Sequence, residues 1–264
     1  MMVSDEEYQK HRVFTELEQY ASFYENLAES VFLFASVGTR AICNIDSYMF
    51  SSIQGTLASI QAILRDGRIN DAYALLRKYY DSAIINIYTR LYLYDHVSIE
   101  NFIVKQVDDW LRGKERLPEY RIMSQYIRHS QRITPITALL FSNADDRYKR
   151  IRERCNDHTH YNFYQNVLLN DKEIRLEGRR QVLEEFSNDF RDIFIMHLSC
   201  MFVANEHYMV SSDYLDCLEC KITPEPDSQY WVAPFVQEIF DQVINKFRPD
   251  ITSAIKQHSS MYLA

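Results

Sequence analysis

The amino-acid sequence predicts an all-α protein, and three observations support this prediction. The 264 residues include only five Gly and six Pro, so the chain is poor in the residues that form the tight turns of sheets. Apolar side chains recur at intervals of three and four along most of the chain, which is the spacing of one helix face. Hydrophobic residues make up 47% of the chain, enough for a packed core. We therefore expect a single helical domain over residues 1–264, a bundle of about eight to ten helices.

The first two helices are predicted from their apolar faces and from the break that follows them. The first runs from about residue 6 to 34, with an apolar face of Val13, Leu17, Tyr20, Phe23, Tyr24, Leu27, Val31 and Phe34. The second runs from about residue 45 to 64. Gly67 follows it and suits the left-handed conformation after a helix, and Asn70 is expected to cap the next helix. This arrangement predicts a helical hairpin.

The remaining helices follow from the same periodicity. The second arm of the hairpin carries Arg77 and Asp81 four residues apart, a spacing typical of an ordinary ion pair. Further helices are expected over about residues 99–110 and 121–133, from about residue 145, over about 172–208, and over about 235–246 and 250–257 on either side of Pro249.

Apolar runs and cysteines indicate the cellular location. The longest apolar runs, "SVFLFASVGT" and "DIFIMHLSCMFVA", are shorter than the roughly 20 residues needed to span a bilayer, and no charged-then-apolar leader opens the chain. The cysteines are odd in number and irregularly spaced, as expected for reduced thiols: Cys43, Cys155, Cys200, Cys217 and Cys220. These features predict a cytoplasmic protein without a membrane span.

The charge of the chain is unevenly distributed. A formal net charge of −8 argues against a general coat for nucleic acid, because polyanions are held mainly through Lys and Arg contacts. From Arg112 to Arg154, however, eleven Lys or Arg residues stand against five Asp or Glu residues. This region can accommodate a phosphate. The alternative is that it forms an ordinary solvated helix face.

The segment "IRERCNDHTHYNFYQN", residues 151–166, concentrates arginines and histidines in an otherwise apolar and acidic chain. Two Arg and His pairs are separated by six positions, Arg152 with His158 and Arg154 with His160. In one unbroken helix, residues six apart are turned about 120° from each other, so neither pair shares a face, whereas Arg154 and His158, four apart, do.

The neighbouring residues leave the geometry of this segment open. Asn156 and Asp157 are weak helix formers whose side chains compete for backbone groups, and a new helix commonly starts at such a pair. A kink or cap there lets residues on both sides converge. A continuous helix and a broken helix therefore remain alternatives, and they decide which Arg and His act together.

An arginine followed after four to six residues by a histidine, on the late helices of a small bundle, resembles the motif of the HEPN superfamily (higher eukaryotes and prokaryotes nucleotide-binding). Two further features are similar: the helix with "LLRKYYD" that precedes the motif, and the Asn-Asp-x-Thr-His segment. The resemblance covers about residues 45–210 at the level of helix order. It implies a HEPN-like core with extra helices at the N- and C-terminal ends.

The resemblance implies a homodimer whose two motifs face each other across a cleft and, in active members, metal-independent cleavage of RNA. In that chemistry the ribose 2′-OH attacks the adjacent phosphate, while a histidine moves protons and an arginine stabilises the charge on phosphorus. The preferred pair is Arg154 and His160, and the alternative pair is Arg152 and His158. The candidates for substrate binding are Asn156, Asp157, Arg150 and Arg77.

The sequence also departs from the HEPN pattern. Active members often carry a polar residue directly after the motif arginine, whereas Cys155 follows Arg154 and the carboxylate of Glu153 follows Arg152. A second hypothesis is therefore a non-catalytic helical dimer that binds a partner protein or a nucleotide, with "CNDHTHYN" as a hydrogen-bonded helix junction. A basic cleft containing both residues of the pair favours an endoribonuclease of the kind that acts as a toxin or phage-defence effector. A buried, hydrogen-bonded His160 favours the binding module.

No cofactor or metal is expected. Cys217 and Cys220 have the spacing of half a zinc site, but the chain lacks a second such pair. His158 and His160 point in different directions if they lie on a helix. No Gly-rich phosphate loop, nucleophile elbow or zincin helix is present.

Overall fold

The computed structural model describes residues 1–32, 44–100, 103–142 and 145–264. The all-α prediction is confirmed, because the protein is 73% helical and the described ranges contain no β-strand. A single isolated bridge pairs Val210 with Val232 in antiparallel fashion among these residues. None of the described helices has the length and the apolar character needed to cross a membrane.

The helices of the first half of the chain are α1 (Glu6–Gln9), α2 (Arg12–Ser30), α3 (Ile45–Arg65), α4 (Ile69–His96), α5 (Lys105–Leu111), α6 (Tyr120–His129) and α7 (Thr134–Leu140). The helices of the second half are α8 (Arg147–Thr159), α9 (Tyr164–Leu168), α10 (Arg179–Ala204), α11 (Ser212–Glu219), α12 (Pro234–Ile239), α13 (Asn245–Phe247) and α14 (Pro249–Gln257). A π-helical turn, Phe240–Ile244, joins α12 to α13.

The chain is divided into two compact units. Unit 1 comprises Met1–Glu25, Met49–Ala83 and Asn143–Phe194, and unit 2 comprises Asn26–Tyr48, Ile84–Ser142 and Ile195–Ala264. Each unit is therefore assembled from three separate stretches of sequence. The predictions of a single domain over residues 1–264 and of a HEPN-like core over residues 45–210 stay predictions.

The core of unit 1 is rich in aromatic side chains. Tyr20 stacks on Phe194 with ring centroids 4.0 Å apart and on Phe190 at 5.0 Å. The hydroxyl groups of Tyr24 and Tyr79 are hydrogen-bonded at 2.8 Å, which satisfies two buried polar atoms inside this core. Such ring pairs fix the relative positions of α2, α4 and α10 within the unit, and α4 and α10 carry the side chains that face α8.

The first predicted helix is correct in its apolar face and wrong in its continuity. The predicted face is buried at Val13, Leu17, Tyr20, Phe23, Tyr24 and Leu27. The predicted helix is interrupted between α1 and α2, and α2 ends at Ser30. Phe34, predicted to extend the same face, lies outside the described residues.

The turn between α3 and α4 confirms one prediction and corrects another. Gly67 has a φ of +83°, the left-handed conformation expected after a helix. A Cβ atom at this position would lie 2.5 Å from a methyl carbon of Val3, so the close approach also requires glycine. Asn70 does not cap α4, because the helix begins at Ile69. Its side chain instead meets α8.

Unit 2 contains the shorter helices and the chain end. The helix predicted from about Ile99 begins at Lys105, and Ile99 is fully exposed. Gly113 has a φ of +67° in the loop predicted after it. The last helix, α14, begins at Pro249, where proline at the first position of a helix leaves no hydrogen bond unmade.

The cysteines within the described ranges carry free thiols. Cys155 and Cys200 are buried, whereas Cys217 is half-buried and Cys220 is exposed. Cys43 lies outside the described residues.

Candidate functional site

The motif helix α8 is continuous through Asn156 and Asp157 and ends at Thr159. The broken-helix alternative is therefore wrong. Because residues six apart on a helix are turned about 120° from each other, neither predicted Arg and His pair shares a face of α8. The residues that do share a face are Arg154 and His158, four positions apart.

The turn that follows α8 is organised by Asp157. Its carboxylate accepts a hydrogen bond from the Asn162 side chain at 2.8 Å, and its backbone carbonyl accepts one from the Asn166 side chain at 3.1 Å. Tyr161 adopts a φ of +50°, which reverses the chain between α8 and α9. The segment is thus a hydrogen-bonded helix junction, and Asp157 is engaged in holding it.

His160 lies at the C-terminal cap of α8 and is exposed. Its backbone N–H donates to the carbonyl of Asn156 at 2.9 Å, and its ring makes no hydrogen bond to any residue that the structure describes. The preferred pair, Arg154 and His160, is therefore not brought together within this chain. His160 is also not the buried, hydrogen-bonded residue expected of a purely structural histidine.

Arg152 belongs to a network that joins α8 to α4. Its guanidinium donates to Asp81 at 2.9 Å, and Arg77 donates to the second oxygen of the same carboxylate, also at 2.9 Å. Arg77 also donates to the side-chain oxygen of Asn156. The predicted ion pair between Arg77 and Asp81 is confirmed. The network places Arg77, Arg152 and Asn156, all predicted site residues, in contacts between helices.

Arg154 projects from another face of α8 towards α10. Its Nε donates to Asp189 at 2.7 Å, and its Nη1 donates to Glu185 at 3.3 Å. Asp189 is only 5% exposed, and burial raises the pKa of its carboxyl to about 6 even though the adjacent guanidinium favours the charged form. Two carboxylates therefore already occupy part of the donor fork of Arg154.

Two neighbours of Arg154 on α8 play minor roles. Arg150 is exposed and pairs with Asp146 at 2.8 Å, one turn earlier on the surface. Cys155 is buried, and burial raises the pKa of its thiol to about 12, so the sulfur remains protonated and is a poor nucleophile. Neither residue adds a reactive group to the site.

His158 is buried and tightly positioned. Its ring stacks on Tyr73 with centroids 3.9 Å apart and planes inclined by 7°, and its Nδ1 lies 2.9 Å from the side-chain oxygen of Asn70. Burial, and secondarily the charge of Arg154, lowers the pKa of His158 to about 4. The ring is therefore neutral at pH 7. Because the asparagine oxygen accepts, Nδ1 carries the proton and Nε2 carries the lone pair.

Arg154 and His158 line the same pocket, a cavity of about 510 Å³ at the start of α10. Its other polar walls are contributed by the segment before α10, including Arg175 and Glu177, and by Arg179, the first residue of the helix. We call this cavity the α10 pocket. It lies within unit 1.

Arg179 is the most unusual residue of the α10 pocket, because it is fully buried and paired only with neutral groups. Its Nη1 donates to the carbonyls of Met1 at 3.1 Å and Ile174 at 2.9 Å, and its Nη2 donates to the carbonyl of Asp171 at 2.6 Å. Its Nε has no hydrogen-bond partner among the described residues, and none of their carboxylates forms an ion pair with it. Burial lowers the pKa of the guanidinium.

Sequence reasoning missed Arg179, although one signal was present. The segment "EGRRQ" places two arginines in the first turn of a long helix, where the helix dipole disfavours positive charge. Because positive charge at the N-terminus of a long helix is unfavourable, an arginine there indicates a role other than stabilising the helix.

The side chains that line the α10 pocket carry a small excess of positive charge. Three guanidinium groups (Arg154, Arg175, Arg179) and two carboxylates (Glu177, Glu185) line it. Arg175 is exposed and makes no ion pair or hydrogen bond with any part of the chain that the structure describes. The N-terminus of α10 adds partial positive charge. Such a pocket can hold an anion.

Metal chemistry has no candidate ligand set here. Within the described ranges, no group of three or more His, Cys, Asp or Glu residues is arranged to hold a metal ion.

Comparison of the chain with protein-family models, with curated proteins and with solved structures found no match. The resemblance to HEPN proteins therefore stays a prediction.

Proposed function

We propose that the protein is a helical nucleotide-binding module that holds the phosphate group of its ligand in the α10 pocket. The observation that carries the proposal is Arg179, a fully buried guanidinium at the start of α10 whose Nε is unpartnered among the described residues. A buried charge is costly unless it is compensated, and three carbonyl oxygens compensate it only partly. A phosphate in the adjacent cavity supplies the missing negative charge.

The other cations of the pocket favour the same ligand. Arg175 is a partner-free guanidinium among the described residues, and its planar fork matches phosphate oxygens. The first turn of α10 presents backbone amides in the direction of the helix axis, the geometry that binds phosphate in many proteins. The guanidinium of Arg175 and the N-terminus of α10 would therefore bind the phosphate together with Arg179.

The size and the lining of the pocket favour a nucleotide over inorganic phosphate. A volume of about 510 Å³ is several times what one phosphate requires and is in the range of small-molecule sites. Leu168, Leu176 and Val182 form an apolar wall, and Gln165 and Asn166 add amide groups. An apolar wall with a few hydrogen-bonding groups suits a sugar and base attached to the phosphate.

The histidine and arginine of the motif support a binding role. His158 is neutral at pH 7 and is held between Tyr73 and Asn70, and the fork of Arg154 is largely occupied by α10 carboxylates. Both residues thus shape the wall of the pocket. The proposal retains homodimerisation, which is predicted from the family resemblance and from the aromatic-rich helices, and it retains a partner protein.

A metal-independent endoribonuclease is the second candidate function, and one observation favours it. Arg154 and His158 line the same pocket, so a guanidinium and an imidazole with a free Nε2 lone pair meet one bound phosphate. That combination is what attack by a ribose 2′-OH requires. The pair differs from both pairs predicted from the sequence.

Binding is tested by calorimetric titration of the protein with nucleoside monophosphates and with the corresponding nucleosides. The nucleotides are expected to bind and the nucleosides to bind at least tenfold more weakly, because the phosphate carries the main contacts. Arg175→Ala should weaken nucleotide binding roughly three- to tenfold, since it removes one charged donor. Arg116→Ala, an exposed arginine outside the pocket, is the control with the same change in net charge.

Equal losses in the Arg175→Ala and Arg116→Ala variants would show that the effect is general electrostatics and would contradict the pocket assignment. Equal binding of nucleotides and nucleosides would contradict the phosphate contact itself.

Cleavage is tested with a fluorescent single-stranded RNA in EDTA. If the protein is an endoribonuclease acting through the α10 pocket, His158→Phe is expected to lower the cleavage rate by a factor of about 10² or more. His160→Ala is expected to leave the rate unchanged. The opposite result restores the preferred sequence pair of Arg154 and His160. Nucleotide binding without cleavage of any RNA supports the binding module.

Homodimerisation is tested by light scattering, which should give about twice the 31.5 kDa chain mass. A monomer at all micromolar concentrations would contradict a composite site between two copies and would leave the pocket within one chain.

A further inference from the structure

A second pocket, of about 260 Å³, lies in unit 2 at the start of α3. Its polar lining includes Asp46, Arg90, Asn205, His207, Tyr208 and Gln229, and Val210 and Leu215 contribute apolar surface. We call it the α3 pocket. None of these residues belongs to the motif segment or to the α10 pocket, so this site is independent of the proposed function.

Asp46 is held in a fixed orientation by donors behind it. Its Oδ1 accepts a hydrogen bond from the side chain of Asn86 at 2.6 Å, and its Oδ2 accepts one from the hydroxyl of Tyr208. Asn86 and His197 are fully buried, and the His197 Nε2 lies 2.9 Å from the Asn86 oxygen. Burial lowers the pKa of His197 to about 3, so the ring is neutral and donates through Nε2–H.

The chain of hydrogen bonds therefore runs in one direction, from His197 through Asn86 to Asp46. A hydroxyl and an amide donate to the carboxylate, and these donors stabilise its ionised form although burial raises the pKa of Asp46. The result is a rigid acceptor at the edge of the α3 pocket. Rigid placement of this kind is a feature of binding sites.

Arg90 lies beside Asp46 and is incompletely paired. The shortest distance between its guanidinium and the Asp46 carboxylate is 3.6 Å, which is longer than a hydrogen bond. Its Nη2 donates to the hydroxyl of Tyr94 at 3.0 Å, and the group lies over the rings of Tyr94 and Tyr208. Its Nε is buried and finds no acceptor among the described residues.

The incomplete pairing of Arg90 on the wall of the pocket is the observation that points to a ligand, because its Nη1 lies 3.6 Å from the Asp46 carboxylate, too far for a hydrogen bond. A partly buried donor without a good acceptor costs free energy that a bound carbonyl oxygen recovers. The stacked rings prevent the guanidinium from turning freely towards water. An acceptor on the ligand is therefore expected at Arg90.

The balance of charge decides what kind of ligand fits. A bound anion would be repelled by the carboxylate of Asp46, and a bound cation would be repelled by the guanidinium of Arg90. Neither kind of ion therefore gains net electrostatic energy from the two groups together. A neutral edge that offers a carbonyl beside an N–H satisfies both at once. The volume of the α3 pocket accommodates a ring system of purine size, with Tyr214 and Leu215 beside the ring face.

We infer that the α3 pocket binds an uncharged planar heterocycle through a lactam edge, with the ring carbonyl accepting from Arg90 and the adjacent N–H donating to Asp46. Hypoxanthine has this edge. The site selects the hydrogen-bonding pattern of the ring and makes no use of a phosphate.

The inference is tested by calorimetric titration with three free bases of similar size. Hypoxanthine is expected to bind, 1-methylhypoxanthine, which lacks the N–H, to bind at least tenfold more weakly, and adenine, whose donor and acceptor are exchanged, to bind at least tenfold more weakly. Equal affinity for the three bases, or no binding of hypoxanthine, overturns the inference. Free bases carry no phosphate, so this result is separate from that at the α10 pocket.

Two matched variants locate the binding. Leu215→Trp introduces a large ring at an exposed position of the pocket wall and is expected to weaken hypoxanthine binding more than tenfold. Leu218→Trp, at an exposed position of the same helix that does not line the α3 pocket, is expected to leave it unchanged. Equal effects of the two variants place the ligand elsewhere and overturn the assignment.

A third variant tests the recognition contact directly. Asp46→Asn should abolish the preference of hypoxanthine over 1-methylhypoxanthine, because the carboxylate acceptor is lost. Since Asp46 belongs to a buried network, thermal melting of this variant accompanies the titration. A folded Asp46→Asn protein that retains the preference contradicts the assigned role.

Discussion

The α10 pocket and the α3 pocket are built alike in one respect and differ in another. Each has a buried, neutral histidine bonded to an asparagine of α4: His158 bonds to Asn70, and His197 bonds to Asn86, both at 2.9 Å. In both cases burial lowers the pKa of the histidine, to about 4 and about 3 respectively. The buried His and Asn pairs are therefore a shared structural device and do not distinguish the two sites.

The pockets differ in how their guanidinium groups are compensated. At the α10 pocket, guanidiniums outnumber carboxylates, and Arg179 is paired with carbonyl oxygens only. At the α3 pocket, one guanidinium, Arg90, faces one carboxylate, Asp46. The ligand proposed for each pocket follows from its charge balance, because surplus positive charge favours a phosphate and a balanced pair favours a neutral polar edge.

The largest expected effect comes from removing the two arginines that define this difference. Arg179→Met should lower the free energy of unfolding by roughly 3 kcal/mol, because three backbone carbonyls lose their hydrogen-bond donor. Arg90→Met should lower it by only about 1 kcal/mol, because the Arg90 side chain is 24% exposed and makes fewer hydrogen bonds. Urea unfolding monitored by circular dichroism measures both. Equal losses would contradict the distinction between the two arginines.

The next effect tests what the pockets share. The folded pKa of His158, about 4, is below the ordinary value of 6.5, so its contribution to stability is present above pH 6.5 and is lost as the pH falls through 4. The phenylalanine of His158→Phe keeps a ring beside Tyr73 but cannot titrate. As the pH falls from 6.5 to 4, this variant should therefore lose roughly 2 kcal/mol less unfolding free energy than the wild type.

Asp189 acts in the opposite sense over an overlapping pH range. Its folded pKa of about 6 is above the ordinary 3.8, so its contribution is present below 3.8 and is lost as the pH rises through 6. Because Asp189 is present in the wild type and in the variants, its contribution is common to all the profiles. His160→Ala serves as the control for removing a histidine whose ring is exposed. A His158→Phe profile identical to the wild-type profile would contradict the buried, neutral state of His158.

A smaller effect is expected from the carboxylate that pairs with Arg154. Asp189→Asn removes a carboxylate that compensates Arg154, so nucleotide binding should tighten about threefold. Asp192→Asn removes the same charge from the same helix, but Asp192 pairs with Arg147, which does not line the pocket. It should change binding less than Asp189→Asn. Weaker binding in Asp189→Asn would indicate that Asp189 positions Arg154 for the ligand.

The smallest effect concerns His160. Because its ring is exposed and makes no hydrogen bond to a described residue, His160→Ala should change the unfolding free energy by less than about 0.5 kcal/mol and leave nucleotide binding intact. Thermal melting and calorimetry measure the two quantities. A loss of binding in this variant would place the ligand at the end of α8 instead of at the start of α10.

The helices were predictable because their causes are local. The apolar face of α2, the left-handed Gly67 and the ion pair of Arg77 with Asp81 depend on residues within a few positions of each other. Errors arose where a distant residue intervened. Asn70 looks like a helix cap in sequence, yet its side chain bonds to His158, 88 positions away.

The candidate site was predictable only in part. The segment after residue 150, where the sequence predicts a site, places Arg154 and His158 on a pocket wall. The pairing was not predictable, because it depends on whether α8 continues through Asn156 and Asp157. Packing of the helix against its neighbours, including the bond between Asn156 and Arg77, accompanies the continuous form and overrides the weak helix propensity of these two residues.

By itself, the sequence determined the all-α class, the approximate helices and the segment in which to look for a site, because periodicity and turn residues act over short stretches of chain. Only the tertiary structure decided which charges are compensated. Arg179 meets a carbonyl 178 positions away, and His197 meets an asparagine 111 positions away. Burial and hydrogen bonding depend on where folding brings such distant groups, and they decide how the charges in each pocket are compensated, on which the proposed ligands rest.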